Sequence, residues 1–268
     1  ALGDDASRQA MIATCAGRGY RFVPTVGSGS PFAHVSSNGL DLNSVIAPDF
    51  VGRTKDLEAF RSILNQTRSP AIVLIAGEAG IGKSRLLLGY SRVAAALSFP
   101  MYLASCPETE RTPFLWPWIQ LLEACLRSHP GNEVHLSPSQ RGLLASLFPD
   151  RFEALPADSL GGPDSAQFRL FEALTALLYS LLEPGLAVLA IDDLHRADEG
   201  TVRFLSFAAR SLQNSPLVLI ATYRPADIHP SSPHSLALAA LTREPHATSI
   251  WLHGLSEEDT ARLASTLA

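Results

Sequence analysis

Short apolar runs alternate with amphipathic stretches along most of the chain. The runs that predict buried strands lie at residues 71–76, 100–105, 186–191 and 217–222. Apolar positions at helical spacing predict helices at 54–64, from 85 onward, and at 116–126, 140–147, 166–182 and 200–212. Thr54 is expected to occupy the N-cap of the first of these helices. Strands that alternate with helices indicate an α/β fold whose parallel sheet is covered by helices on both faces.

The beginning of the chain has a different pattern. Two short β-prone runs, at 11–14 and 20–23, flank a glycine-containing loop, and this arrangement predicts a tight hairpin. The following residues are rich in Gly, Ser and Asn and predict a linker. We therefore divide the chain into a hairpin unit at 1–25, a linker at 26–47, an α/β core at 48–228 and a final segment at 229–268.

Composition narrows the classes of protein to which the chain can belong. Hydrophobic residues make up 46% of the 268 residues, which suits a globular core, and the net charge of −5 argues against a chain that binds polyanions over its whole surface. Cys15, Cys106 and Cys125 lie far apart, so neither a disulfide framework nor a cysteine metal site is expected. No apolar run is long enough to predict a membrane span. We expect a cytoplasmic protein, and the missing initiator Met suggests a fragment of a longer polypeptide.

A glycine-rich loop after the first apolar strand carries the clearest chemistry. It matches G-x-x-x-x-G-K-[ST] at every fixed position and precedes a helical pattern, the context of a phosphate-binding P-loop. Lys83 is expected to reach the β- and γ-phosphates and Ser84 to ligate Mg²⁺. The predicted phosphate-binding residues are Gly77, Glu78, Ala79, Gly80, Ile81, Gly82, Lys83, Ser84 and Arg85.

Polar residues also end two later strands. The run at 186–191 is followed by Asp192, expected to hold Mg²⁺, and Asp193, expected to orient or deprotonate the attacking water. Thr222 ends the run at 217–222, and Arg224 follows two residues later. Either residue could contact a γ-phosphate there; the alternative for Arg224 is a surface position. His195 follows the acidic pair and could contact the site; the favoured alternative is a histidine that faces solvent or packs in the core.

Residues 50–225 resemble the signal-transduction ATPases with numerous domains, an AAA+-like group attached to bacterial transcriptional regulators. The similar segments lie at 50–53, 77–84, 113–118, 191–198 and 221–225. The resemblance implies a P-loop NTPase that binds ATP and Mg²⁺, with Val51, Gly52 and Arg53 near the adenine and ribose and Arg224 as a sensor on the γ-phosphate. The group usually has Trp where this chain has Arg196.

Both ends of the chain also resemble parts of such regulators. Residues 1–25 resemble the end of a winged-helix DNA-binding domain, with the hairpin as its wing, and 252–258 resemble the start of a helical lid. The resemblance implies a slowly hydrolysing ATP switch that controls oligomerisation, including homo-oligomers, or DNA-binding output. Two other classes stay open: a nucleotide-binding scaffold without significant hydrolysis, and the ATPase module of a cyclase or kinase.

DNA binding by this chain is expected to be weak and non-specific. The helix that reads bases in a winged-helix domain would lie mostly upstream of residue 1, and wing arginines such as Arg18 would contact only the DNA backbone. A gel-shift comparison of the chain with a full-length protein, at matched salt, measures the difference. Tight, sequence-specific binding by residues 1–268 alone would contradict the wing assignment.

Overall fold

The computed structural model describes residues 12–15, 19–22, 50–67, 70–107, 113–128, 134–153, 163–182, 185–212 and 215–267. The chain forms two compact units, Ala1–Ala33 and His34–Ala268. In the first unit, strands β1 (Ile12–Cys15) and β2 (Gly19–Phe22) pair antiparallel. Two antiparallel strands are what the hairpin prediction requires, whereas its connecting loop and the linker at 26–47 lie outside the described residues.

The second unit alternates strands and helices. Its strands are β3 (Ala71–Ala76), β4 (Met101–Ser105), β5 (Ala187–Asp192), β6 (Leu217–Tyr223) and β7 (Ala247–Trp251). Its helices are α1 (Thr54–Gln66), α2 (Lys83–Ala96), α3 (Trp116–Ser128), α4 (Pro138–Leu144), α5 (Pro163–Leu182), α6 (Glu199–Ser211), α7 (Pro233–Leu241) and α8 (Glu257–Leu267). Short 3₁₀ turns cover Leu194–Arg196 and Pro225–Asp227.

The five strands of the second unit form one parallel sheet in the order β4-β5-β6-β3-β7. Strand β6 therefore lies between β3, which precedes the glycine-rich loop, and β5, which ends in the acidic pair. Because all five strands run in the same direction, their carboxyl ends lie along the same edge of the sheet. The order of the strands consequently brings the three predicted polar strand ends together.

Alternate residues of the central strands enter two separate hydrophobic cores. Ile72 and Leu74 of β3 pack in the core that includes α3, α5 and α6, whereas Val73 and Ile75 pack in the core that includes α1 and α2. Both sets are buried, which explains why the strands are continuous apolar runs. The predicted α/β fold with helices on both faces of a parallel sheet is confirmed.

The structure corrects three details of the predicted elements. Thr54 is the first residue of α1, and Arg53 occupies the N-cap without a capping side-chain hydrogen bond. The short helix predicted at 140–147 is α4, which begins earlier, at Pro138, after Ser137 caps it through a reciprocal pair of hydrogen bonds with Gln140. The sequence analysis missed α7 and β7, because β7 is a mostly exposed edge strand without an apolar run and α7 is short.

No described helix is both long enough and apolar enough to cross a lipid bilayer. This finding agrees with the sequence, in which the longest apolar run contains Glu172.

Trp118 connects α3 to α6 in the larger core, so its replacement tests the packing of this core. The indole is fully buried, donates a hydrogen bond of 3.1 Å to the Thr201 carbonyl and contacts the Phe204 ring edge-on. We expect Trp118→Phe to lower the free energy of unfolding by about 1–3 kcal/mol, because it removes the donor and leaves a gap. Denaturant unfolding followed by circular dichroism measures the change. Trp251→Phe, at a side chain that is 56% exposed, is the matched control and should change stability little.

Candidate phosphate- and magnesium-binding site

The candidate site lies where β3, β5 and β6 end. The glycine-rich loop follows β3 and leads into α2, Asp192 is the last residue of β5, and Arg224 follows β6. Thr222 is paired in register with Ile75 of β3, while its neighbour Ala221 is paired with Ile191 of β5. Strand β6, which lies between β3 and β5, thus sets the spacing between the glycine-rich loop and the acidic residues.

Two glycines give the loop its shape. Gly80 and Gly82 have φ angles of +72° and +101°, a region that side chains other than glycine rarely adopt. A Cβ atom added at either residue would meet no described atom within 4 Å, so the space beside the loop is open. The loop leads directly into the N-terminus of α2, whose free N–H groups favour an anion. Loop geometry and helix orientation therefore suit a phosphate group.

Lys83 is held in place by the loop that it follows. Its Nζ donates hydrogen bonds to the carbonyls of Gly77, at 3.0 Å, and of Glu78, at 2.8 Å. Burial lowers the pKa of Lys83 from its usual value, and the positive charge of Arg224 lowers this pKa further, while nearby carboxylates oppose the shift. An anion near Lys83 would favour its charged form.

Three side chains converge at the end of β5. Ser84 Oγ donates a hydrogen bond of 2.6 Å to one carboxylate oxygen of Asp192, and Thr222 Oγ1 donates to the other. Asp192 and Thr222 are buried, whereas Ser84 faces the open side of the loop. The pair of oxygens from Ser84 and Asp192 therefore lies at the boundary between the core and the phosphate site.

The oxygens of Ser84 and Asp192 fit Mg²⁺. Mg²⁺ prefers oxygen ligands and is usually held by one or two protein groups, the remaining positions being filled by phosphates and water. Within the described part of the chain, no group of three or more His, Cys, Asp and Glu side chains could hold a metal without such additional ligands.

Asp193 points to a different neighbour from Asp192. Its φ of +56° is unusual for a residue other than glycine, and its backbone N–H donates a hydrogen bond of 3.0 Å to Thr222 Oγ1. Its carboxylate oxygen lies 4.0 Å from His195 Nδ1. The backbone turn thus separates the two acids, so that they can have different roles, as the sequence analysis expected.

His195 does not face solvent, so this part of the expectation is wrong. Its side chain is 2% exposed and lies between Asp193 and Asp227, whose Oδ2 is 3.4 Å from Nε2. Burial lowers the pKa of His195 from its usual value, against the opposing effect of the two carboxylates. Neither ring nitrogen forms a hydrogen bond with the described residues.

Arg224 lies beside the site, with 27% of its side chain exposed. One of its terminal nitrogens is 3.8 Å from Oδ2 of Asp227, and its buried Nε has no hydrogen-bond partner in the described residues. The sensor role of Arg224 stays a prediction. Asp227 was missed by the sequence analysis, although its position three residues after an arginine at a strand end was a usable signal.

The segment predicted to lie near the adenine is joined to the loop. Arg53 donates hydrogen bonds to the carbonyls of Ile81, at 3.1 Å, and of His253, at 2.6 Å. Gly52 has a φ of +78°, and a Cβ there would lie 2.6 Å from Leu255. This close approach explains the glycine at this position. It also places the residues just before α8 close to the glycine-rich loop, a contact that the sequence did not predict.

The remaining predicted site residues differ in their exposure and contacts. Glu78, Ala79 and Gly80 are exposed on the loop, and Val51 is half-buried beside Gly52. The Arg85 guanidinium lies over the Phe50 ring, 5.8 Å from its centroid, and therefore helps to pack α2 against the segment before α1.

Asp198 shows that part of the acidic motif is structural. It caps α6 by accepting from Thr201 N at 3.0 Å, and its other oxygen accepts from Leu115 N at 3.1 Å. The segments at 113–118 and 191–198, which carry the family resemblance, are thus held together by one carboxylate.

The chain is similar to proteins that are already known. Residues 49–220 match the AAA ATPase domain family. An uncharacterised protein of Rhizobium meliloti (strain 1021) is 27% identical over 168 residues, which cover 58% of this chain and 16% of that protein. A solved structure of a Signal Transduction ATPase with Numerous Domains (STAND) protein with a tetratricopeptide repeat sensor, from Pyrococcus horikoshii, is 22% identical, with a TM-score of 0.43, over 81% of this chain and 25% of that one.

The chain spans only a minor part of both relatives, 16% of one and 25% of the other. The family match covers the α/β core from the residue before Phe50 to the middle of β6 and contains the glycine-rich loop and the acidic pair. The predicted AAA+-like module is confirmed: the chain belongs to the AAA ATPase domain family.

Proposed function

We propose that the second unit is an ATP- and Mg²⁺-binding switch module. The observation that carries the proposal is the hydrogen bond of 2.6 Å between Ser84 and Asp192, which joins the P-loop helix to the acidic strand end. Lys83 would bind the β- and γ-phosphate oxygens, and the loop N–H groups would bind the phosphates beside it. Ser84 and Asp192 would hold Mg²⁺, which would supply positive charge to neutralise the phosphates.

Hydrolysis would depend on Asp193. Its carboxylate is separate from the magnesium ligands and 20% exposed, so it could accept a proton from a water molecule beside the γ-phosphate. Arg224 would stabilise the charge of the γ-phosphate during the reaction. We expect slow hydrolysis, which suits a protein whose nucleotide state controls its conformation.

We further propose that the switch belongs to a cytoplasmic bacterial transcription regulator. The support is the pair of antiparallel strands β1 and β2, which a wing hairpin would need, together with the sequence resemblance of residues 1–25. The nucleotide state would control homo-oligomerisation or the output of a DNA-binding domain. Residues 1–25, 48–228 and 229–268 would then be the wing, the ATPase core and the start of a lid.

Lys83→Ala tests nucleotide binding. The change removes a charge-assisted contact to the β- and γ-phosphates, so ATP affinity should fall roughly tenfold or more. Calorimetric titration measures this affinity. Lys55→Ala, at an exposed position of α1, removes the same charge away from the loop and should leave ATP binding unchanged. Unchanged ATP affinity in Lys83→Ala would contradict the proposed function.

Exchange of each acid for its amide tests the division of roles. Asp192→Asn should abolish the Mg²⁺ dependence of ATP binding, because it weakens a metal ligand. Asp193→Asn should retain Mg²⁺-dependent binding but slow phosphate release by roughly 10²-fold or more, because it removes the proton acceptor. Titrations with and without Mg²⁺, and a phosphate-release assay, separate the two effects. The assigned roles are wrong if both variants lose Mg²⁺ dependence equally.

A further inference from the structure

Asp227 is the charged residue beside the site to which neither the P-loop nor the acidic motif gives a role. It ends the 3₁₀ turn Pro225–Asp227, directly after β6 and Arg224. Its side chain is 48% exposed, so it does not belong to the core. A carboxylate beside a phosphate site repels the phosphate, and its presence at this place therefore calls for a physical explanation.

One oxygen of Asp227 faces two donors. Oδ2 lies 3.8 Å from a terminal nitrogen of Arg224 and 3.4 Å from His195 Nε2. The contact with Arg224 is a loose ionic contact, and the contact with His195 is too long for a strong hydrogen bond. Arg224 Nε and both nitrogens of His195 are buried, and none of them has a hydrogen bond within the described ranges. The three side chains thus form a cluster in which these buried nitrogens lack hydrogen bonds.

Arg224 interacts with one anionic and one cationic residue, Asp227 and Lys83. Asp227 attracts its guanidinium, and the charge of Arg224 adds to burial, the main cause, in lowering the pKa of Lys83, so the two cations lie within electrostatic reach of each other. A γ-phosphate beside Lys83 would attract the same guanidinium, and an arginine can form stronger bidentate contacts with a phosphate than with a distant carboxylate. Asp227 and the γ-phosphate would therefore compete for Arg224.

We infer that Asp227 holds Arg224 as a resting counter-ion and thereby sets how strongly the site prefers ATP to ADP. When ATP binds, Arg224 leaves Asp227 for the γ-phosphate, and His195 remains as the neighbour of the Asp227 carboxylate. ADP lacks the competing phosphate and leaves the ion pair in place. This inference rests on the proposed ATP site and makes Asp227 a residue that determines specificity without touching the nucleotide.

The movement of Arg224 from Asp227 to the γ-phosphate lowers the preference of the site for ATP over ADP. Breaking an exposed ion pair costs free energy only in the ATP state, and a ligand discriminates between two states only by its differential interaction with them. Asp227→Asn keeps the shape of the side chain but removes its charge. We expect this variant to bind ATP about two- to fivefold more tightly, as the usual strength of an exposed pair implies, and to bind ADP with unchanged affinity.

A double-mutant cycle with Arg224→Ala tests the mechanism. Asp227→Asn should strengthen ATP binding clearly more in the wild-type background than in the Arg224→Ala background, where only the repulsion between carboxylate and phosphate is relieved. The affinities for Mg·ATP and Mg·ADP are measured by calorimetry, after circular dichroism has shown that each variant is folded. Equal gains in both backgrounds would reveal simple charge repulsion and would overturn the inference.

Two further variants serve as controls. Asp227→Glu keeps the charge and should retain the wild-type ratio of ATP to ADP affinity. Asp150→Asn removes one exposed carboxylate outside the cluster and should leave both affinities unchanged. If Asp150→Asn strengthens ATP binding as much as Asp227→Asn does, the effect arises from net charge, and the inference is wrong.

The same titrations separate failure of the inference from failure of the proposed function. If the wild-type chain binds neither nucleotide, or if Lys83→Ala binds both as well as the wild type does, the ATP site itself is wrongly assigned. If Lys83→Ala loses affinity for both nucleotides but Asp227→Asn leaves the ratio of ATP to ADP affinity unchanged, the site is supported and the inference about Asp227 is overturned.

Discussion

The two hydrogen bonds that Asp192 accepts hold the site together. One comes from Ser84 at the start of α2 and the other from Thr222 at the end of β6, so a single buried carboxylate joins the loop after β3 to two strand ends. Because β6 lies between β3 and β5, these groups cannot meet without it. The order of the strands is therefore a condition of the site, and the two hydrophobic cores that fix the sheet also fix the positions of its polar atoms.

The surroundings of Lys83 and His195 disfavour a positive charge on either side chain. Burial lowers the pKa values of both Lys83 and His195, and the charge of Arg224 contributes to both shifts. The neighbouring acids oppose these shifts but do not cancel them. A phosphate anion would complete this arrangement, because it adds negative charge where the cations meet.

The sequence predicted the parts of this structure that depend on local chemistry. Continuous apolar runs such as 71–76 identified the buried strands, and the glycines at 80 and 82 identified a loop with a special backbone. The contacts of His195 with Asp193 and Asp227 could not be predicted, because they depend on where the chain after β6 turns back towards the chain after β5. Strand β7 was missed for a similar reason, since an edge strand is stabilised by its partner β3 more than by its own apolar residues.

Arg53 connects the glycine-rich loop to the residues just before α8. Its guanidinium binds the carbonyl of Ile81 in the loop and that of His253, which precedes α8, while Leu255 packs on Gly52. A ligand whose binding stabilises the loop must also stabilise this packing. By thermodynamic reciprocity, the packing must raise the affinity for that ligand by the same factor. Any force that pulls α8 away would therefore lower the affinity for a ligand at the loop, which lies far earlier in the chain.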